Sequence, residues 1–120
     1  MYLPDKVKII ALCALTFVSV NVSAQEHEIG QKEKTFVMDG KKVEKLSIHV
    51  GDKINFKNYD PWFHNIFSLS DTKTFDLGSY PQGEFRTVTF TKAGEVEIEC
   101  AIHPQMYMVL KVDDSLAANK

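Results

Sequence analysis

From Thr35 onward, apolar and polar positions alternate in short runs separated by turn residues. Glu95 to Cys100 is the strictest case. Val96, Ile98 and Cys100 fall on one face, and Glu95, Glu97 and Glu99 on the other. That period of two is the mark of a half-buried strand. Arg86–Thr91 alternates with Val88 and Phe90 inward, and Met106–Val112 with Met108, Leu110 and Val112 inward. Thr35–Met38, Val43–Val50, Ile54–Asn58 and Asn65–Ser70 read as further strands. Asp39-Gly40, Gly51-Asp52 and Lys92-Ala93-Gly94 supply turns between them. Gln25–Lys34 is polar and reads as a loose lead-in, and residues 71–84, with Gly78, Pro81 and Gly83, as a long connection. No amphipathic helical period and no internal repeat appears in this region. The expected fold class is therefore all-β, a sandwich of about seven to eight short strands.

The first 24 residues follow a different rule. Lys6 and Lys8 precede an apolar run, Ile9–Val22, and Val22-Ser23-Ala24 supplies small residues for cleavage after Ala24. The run is short against the roughly 20 apolar residues of a spanning helix. It is expected to be a cleaved export signal, giving a periplasmic or otherwise exported protein with no stable membrane insertion. Three parts follow: signal 1–24, lead-in 25–34 and a single domain over 35–115. Cys13 leaves with the signal, so the mature chain keeps one thiol, Cys100. A lone exported thiol cannot form an internal disulfide. It is inert and buried, paired with another chain, or bound to metal.

Charge excludes little. The formal net charge is -2, and loss of Asp5, Lys6 and Lys8 takes it to about -3, too weak a field to attract nucleic acid. The charged strand face at Glu95, Glu97 and Glu99, together with Asp60, is expected to be solvated.

Candidate chemistry concentrates after the strictest strand. Cys100-Ala101-Ile102-His103-Pro104-Gln105-Met106 reads C-x2-H-x2-M and joins two strands. A thiolate, an imidazole and a thioether on one short loop form a soft, mixed donor set that suits copper. Trigonal His2Cys coordination with a weak axial Met needs a second His. His64, in the apolar loop Pro61–Phe67, is the best candidate. His49 lies on a solvated strand face and His27 in the lead-in, so neither is assigned to this site. Met106 and Met108 share strand parity, and the x2 spacing favours Met106 as the axial ligand.

These residues resemble the cupredoxins, and most of all the amicyanin, pseudoazurin and plastocyanin group. The resemblance rests on Val50–Asp60 followed by His64-Asn65, and on Gly94–Val112, which holds the ligand loop. The short loop with Pro104 after His103 is most similar to that of amicyanin. The resemblance implies a Greek-key sandwich and one copper ion held by His64, Cys100, His103 and Met106. It also implies that Asn65 braces the Cys100 loop, and that Trp62, Phe63, Ile102, Pro104 and Tyr107 form an apolar rim around His103. The implied role is a monomeric one-electron carrier between redox protein partners. A copper carrier or chaperone would use the same ligands, but no Met- or His-rich tract supports it. Paired catalytic carboxylates and a nucleophile motif are absent from the sequence, so no enzyme is expected.

Overall fold

The computed structural model describes residues 14–18 and 23–114. The expected signal segment, 1–24, lies mostly outside the described residues. No helix among them is long and apolar enough to cross a membrane. Ten strands form two five-stranded sheets. They are β1 (Glu26–Lys32), β2 (Thr35–Met38), β3 (Lys41–Lys42), β4 (Lys45–His49), β5 (Lys53–Asn58), β6 (His64–Ser70), β7 (Lys73–Tyr80), β8 (Phe85–Thr89), β9 (Gly94–Cys100) and β10 (Tyr107–Asp113). One sheet has the order β3-β2-β1-β5-β8 and the other β4-β10-β9-β6-β7. Each is mixed, with β1 parallel to β5 and β4 parallel to β10.

The alternating positions face the layer between the sheets. Ile54 and Phe56, Val88 and Phe90, Val96 and Ile98, and Met108, Leu110 and Val112 are all buried there. Phe75 packs between Phe56 and Phe90, tilted to the first and edge-on to the second, with ring centroids 6.1 and 6.3 Å away. Burial of this apolar area drives the two sheets together.

The seven strands read from the sequence become ten with the two-residue β3 and with two segments that depart from expectation. The expected lead-in contains β1, a central strand paired along its length with β5. It carries little alternation because Ile29, Gly30 and Gln31 are buried in succession. Gly30 is buried because the Tyr59 ring lies over it: a Cβ there would meet two ring carbons at 2.8 Å. Gln31 is buried because the Tyr80 hydroxyl lies 3.0 Å from its Oε1. The expected long connection contains β7, an edge strand whose Asp76, Gly78 and Ser79 look like turn residues. Gly78 has φ 70°, and the β6–β7 register shifts nearby, between Asn65 and Phe67.

The β1–β2 turn is tight. Lys32 pairs with Thr35, leaving Glu33 and Lys34 as the two turn residues. Their φ values are 53° and 58°, the left-handed conformation that Asn-Gly normally supplies in such hairpins. Two non-glycine residues there need outside support, and they receive it from the candidate site.

Candidate metal centre

Pairing of β6 with β9 places Ile66 opposite Cys100. The start of β6 and the end of β9 therefore meet at one end of the sandwich. The Ala101 N–H donates to the Asn65 carbonyl at 2.9 Å, carrying the pairing one step into the loop. The Met106 N–H donates to the His103 carbonyl at 2.9 Å. That closes a four-residue turn with Pro104 at its second position, where a fixed φ is favourable. The turn swings the His103 ring back over Cys100.

Three donor atoms converge as a result. Cys100 Sγ lies 3.6 Å from His64 Nδ1 and 3.9 Å from His103 Nδ1, and the two Nδ1 atoms are 3.3 Å apart. Among the described residues, these three side chains form the group able to hold a metal ion. A point in the plane of that triangle lies about 2.1 Å from each atom, close to the roughly 2.0–2.3 Å of first-row metal bonds to nitrogen and sulfur. The donor set and its spacing fit one small transition-metal ion. His64 and Cys100 are buried and His103 half-buried.

A network behind His64 fixes which of its nitrogens faces the group. His64 Nε2 lies 2.7 Å from Asp60 Oδ2. A carboxylate accepts only, so Nε2 carries the proton and Nδ1 keeps its lone pair toward Cys100. The same carboxylate accepts the backbone N–H groups of Glu33, at 2.5 Å, and Lys34, at 3.1 Å. Asp60 thus holds the strained β1–β2 turn and the His64 imidazole together. Asn58 shapes the intervening loop: its Oδ1 accepts the Asp60 N–H at 2.8 Å, and its Nδ2 donates to the Trp62 carbonyl at 2.8 Å and the Tyr80 carbonyl at 3.0 Å.

Protonation follows from these contacts. Burial pushes the Cys100 thiol up, but His64 and the backbone N–H groups of Asn65, His103 and Ile102 outweigh it and bring the pKa down to about 6. Burial disfavours charge on His64, but the contacts to Cys100 and Asp60 outweigh it and raise its pKa. The metal-free site therefore favours the Cys100 thiolate, and a proton added to the neutral His64 ring would go to Nδ1, the atom that faces it. Burial also pushes the Asp60 carboxyl up, yet the Lys34 N–H, His64 and the Glu33 N–H hold it below the ordinary carboxylate range.

Several expectations need correction. Asp60 is not a solvated loop charge: it is 2 % exposed. Asn65 meets the ligand loop through its main-chain carbonyl, while its buried side-chain Oδ1 has no hydrogen-bond partner. Trp62, Phe63, Ile102 and Pro104 are exposed, and the Trp62 ring centroid is 6.3 Å from that of His103. The Lys34 ammonium lies 5.3 Å from the Trp62 ring centroid. Tyr107 instead lies on the outer face of β10, its hydroxyl donating to Glu97 at 3.0 Å. His49 is exposed on β4, and His27 is held in β1 by Asp52.

No family model matches the chain, and no curated protein matches it. Solved structures do. A Cu(I) form of an amicyanin mutant superposes with a TM-score of 0.65 at 19% identity, over 78% of this chain and 87% of that one. The oxidised state of another amicyanin mutant gives 0.64 at 19% identity, over 73% and 82%. The Cu-containing nitrite reductase (NirK) from Thermus scotoductus SA-01 gives 0.63 at 24% identity, over 72% of this chain. The chain has the cupredoxin fold. It spans 22% of the length of that nitrite reductase, so what the cupredoxin fold shares with the reductase is one part of a larger protein. Within the cupredoxin sandwich, the His64, Cys100 and His103 group sits at the end where β6 and β9 open into loops.

Proposed function

We propose that this chain is an exported one-electron carrier that holds a single copper ion through His64, Cys100 and His103, with Met106 as the axial ligand. The convergence of one thiolate and two Nδ1 atoms within 3.9 Å of one another carries the reading. Copper bound there would supply a Cu(II)/Cu(I) couple. The protein's part is to keep its donors still. His64 is braced by Asp60, Cys100 is fixed by the β6–β9 pairing, and His103 is set by the Pro104 turn. A donor set that does not rearrange favours transfer of an electron without other chemistry.

The strand register supports Met106 over Met108. Tyr107 faces Glu99 and Met108 faces Ile98 in the β9–β10 ladder. Continued one step back into the loop, that register would set Met106 on the same side as Cys100, where facing side chains are about 4.5–5.5 Å apart. Met108 lies two residues deeper, roughly 7 Å along the strand. Both methionines are buried.

Export rests on the signal-like segment 1–24, with cleavage after Ala24. The partners are proposed to be a redox protein donor and acceptor that meet the exposed Trp62, Phe63, Ile102 and Pro104 surface beside His103. Carrier and chaperone differ in what they release. The copper-loaded chain is expected to keep its ion through repeated reduction and oxidation in the presence of a Cu(I) chelator. Loss of copper to the chelator on the first reduction would assign it to metal delivery instead.

A further inference from the structure

We propose that the mature N-terminus, Gln25-Glu26-His27, is a second site for a square-planar divalent ion, Cu(II) or Ni(II). This goes beyond the carrier reading and rests on its cleavage after Ala24. Cleavage there leaves a free α-amine on Gln25 and a histidine as the third residue. The amine, the peptide nitrogens of Glu26 and His27, and His27 Nδ1 can close three fused chelate rings around one ion. No proline stands among the three residues to remove a peptide N–H. Four nitrogen donors in a plane suit Cu(II) and Ni(II).

The structure supplies an independent observation. His27 Nε2 lies 3.1 Å from Asp52 Oδ2, and the Gln25 nitrogen lies 2.8 Å from Asp52 Oδ1. One buried carboxylate thus gathers the future α-amine and the imidazole on the same spot. Donation from Nε2 to the carboxylate leaves Nδ1 as the lone-pair nitrogen, and Nδ1 is the atom whose chelate ring with its own peptide nitrogen closes. The arrangement parallels that of His64 and Asp60, where the carboxylate takes Nε2 and Nδ1 faces the ligand group.

The two sites are separate. β1 and β5 run parallel from the Asp52 end of the sandwich to the Asp60 end. His27 and Glu33 are six residues apart in sequence, roughly 20 Å along a strand. Chelation would detach Glu26 and His27 from Lys53 and Ile54, leaving the β1–β5 pairs from Glu28 to Gln31 in place. Binding forms four metal–nitrogen bonds and releases to solvent the two peptide protons and any proton carried by the amine. No oxidant or reductant is involved.

The test uses the processed chain, its N-terminus read by mass spectrometry, with one copper equivalent already loaded. Cu(II) and, separately, Ni(II) are then titrated in. A further equivalent is expected, with the ligand-field spectrum of planar nitrogen coordination and no change in the first site's spectrum. Acetylating the α-amine is expected to abolish the second equivalent and spare the first, with every side chain kept. His27→Ala is expected to do the same. A second equivalent that survives acetylation, or its absence from the uncapped chain, would overturn the site. A processed N-terminus other than Gln25 would instead overturn the cleavage reading on which the site depends, whatever the titration of a Gln25-starting chain gives.

Discussion

Replacing Asp60 with asparagine keeps the size of the side chain and removes its charge. The carboxylate accepts three N–H donors, from Glu33, Lys34 and His64 Nε2. Asparagine offers one acceptor oxygen, and its NH2 group is a donor. With NH2 toward His64 and Lys34, two donors face a donor; with NH2 toward Glu33, one does. Either orientation leaves a buried donor without an acceptor, which costs about 1–3 kcal/mol, and weakens bonds to a charged group worth about 1.5–3 kcal/mol each. The expected loss is about 3–4 kcal/mol, a large share of the roughly 5–15 kcal/mol that stabilises a domain. The second consequence concerns the ligand. Without a carboxylate on Nε2, His64 is no longer held with Nδ1 unprotonated toward Cys100, and copper affinity is expected to fall about 10–100-fold. Urea unfolding of the metal-free protein reads the first effect, and competition against a copper chelator the second. Both should fall together. Affinity within about twofold of the parent, alongside a lowered unfolding midpoint, would show that Asp60 supports only the β1–β2 turn and would refute its role in orienting His64.

The other expectations follow from the same geometry. Met106→Leu should shift the visible spectrum and reduction potential of the copper-loaded protein. Met108→Leu should leave both in place and cost less than about 1.5 kcal/mol of stability; the reverse pattern would reassign the axial ligand. Ultraviolet thiolate absorption of the metal-free protein should rise with a midpoint near pH 6, as the lowered Cys100 value requires, and a midpoint near that of a free thiol, about 8.5, would contradict the His64 contact. Asp60 is held below its ordinary range, so its stabilisation should be intact above the ordinary carboxylate pKa. It should be lost as pH falls through the depressed value, and Asp60→Asn should flatten that acid limb in denaturation curves. Glu33→Asn should raise stability by about 0.5–1 kcal/mol, because asparagine tolerates the left-handed turn conformation better while its N–H still reaches Asp60.

What the chain reveals before folding is uneven, for physical reasons. β5, β9 and β10 are legible because each buries one face against the opposite sheet, and burial of one face writes a period of two. β1 is not, because its burial depends on Tyr59 and Tyr80, whose positions only the fold sets. Cys100 and His103 are legible from their spacing on one loop, and His64 from its apolar surroundings. Asp60 is not, because two of its three donors come from a turn 26 and 27 residues away. Asn58 is hidden for a similar reason. It looks like the end of an alternating strand, but it holds the loop that carries Trp62 and His64.

Adding Cu(II) to the mature protein, beside Cys100→Ser, tests the copper centre most directly. One equivalent is expected to bind at this site and to give an intense visible charge-transfer band from the Cys100 thiolate. One electron should bleach the band, reoxidation should restore it, and Cys100→Ser should lack it. A protein that binds copper yet stays colourless, or a band that survives loss of Cys100, would contradict the account.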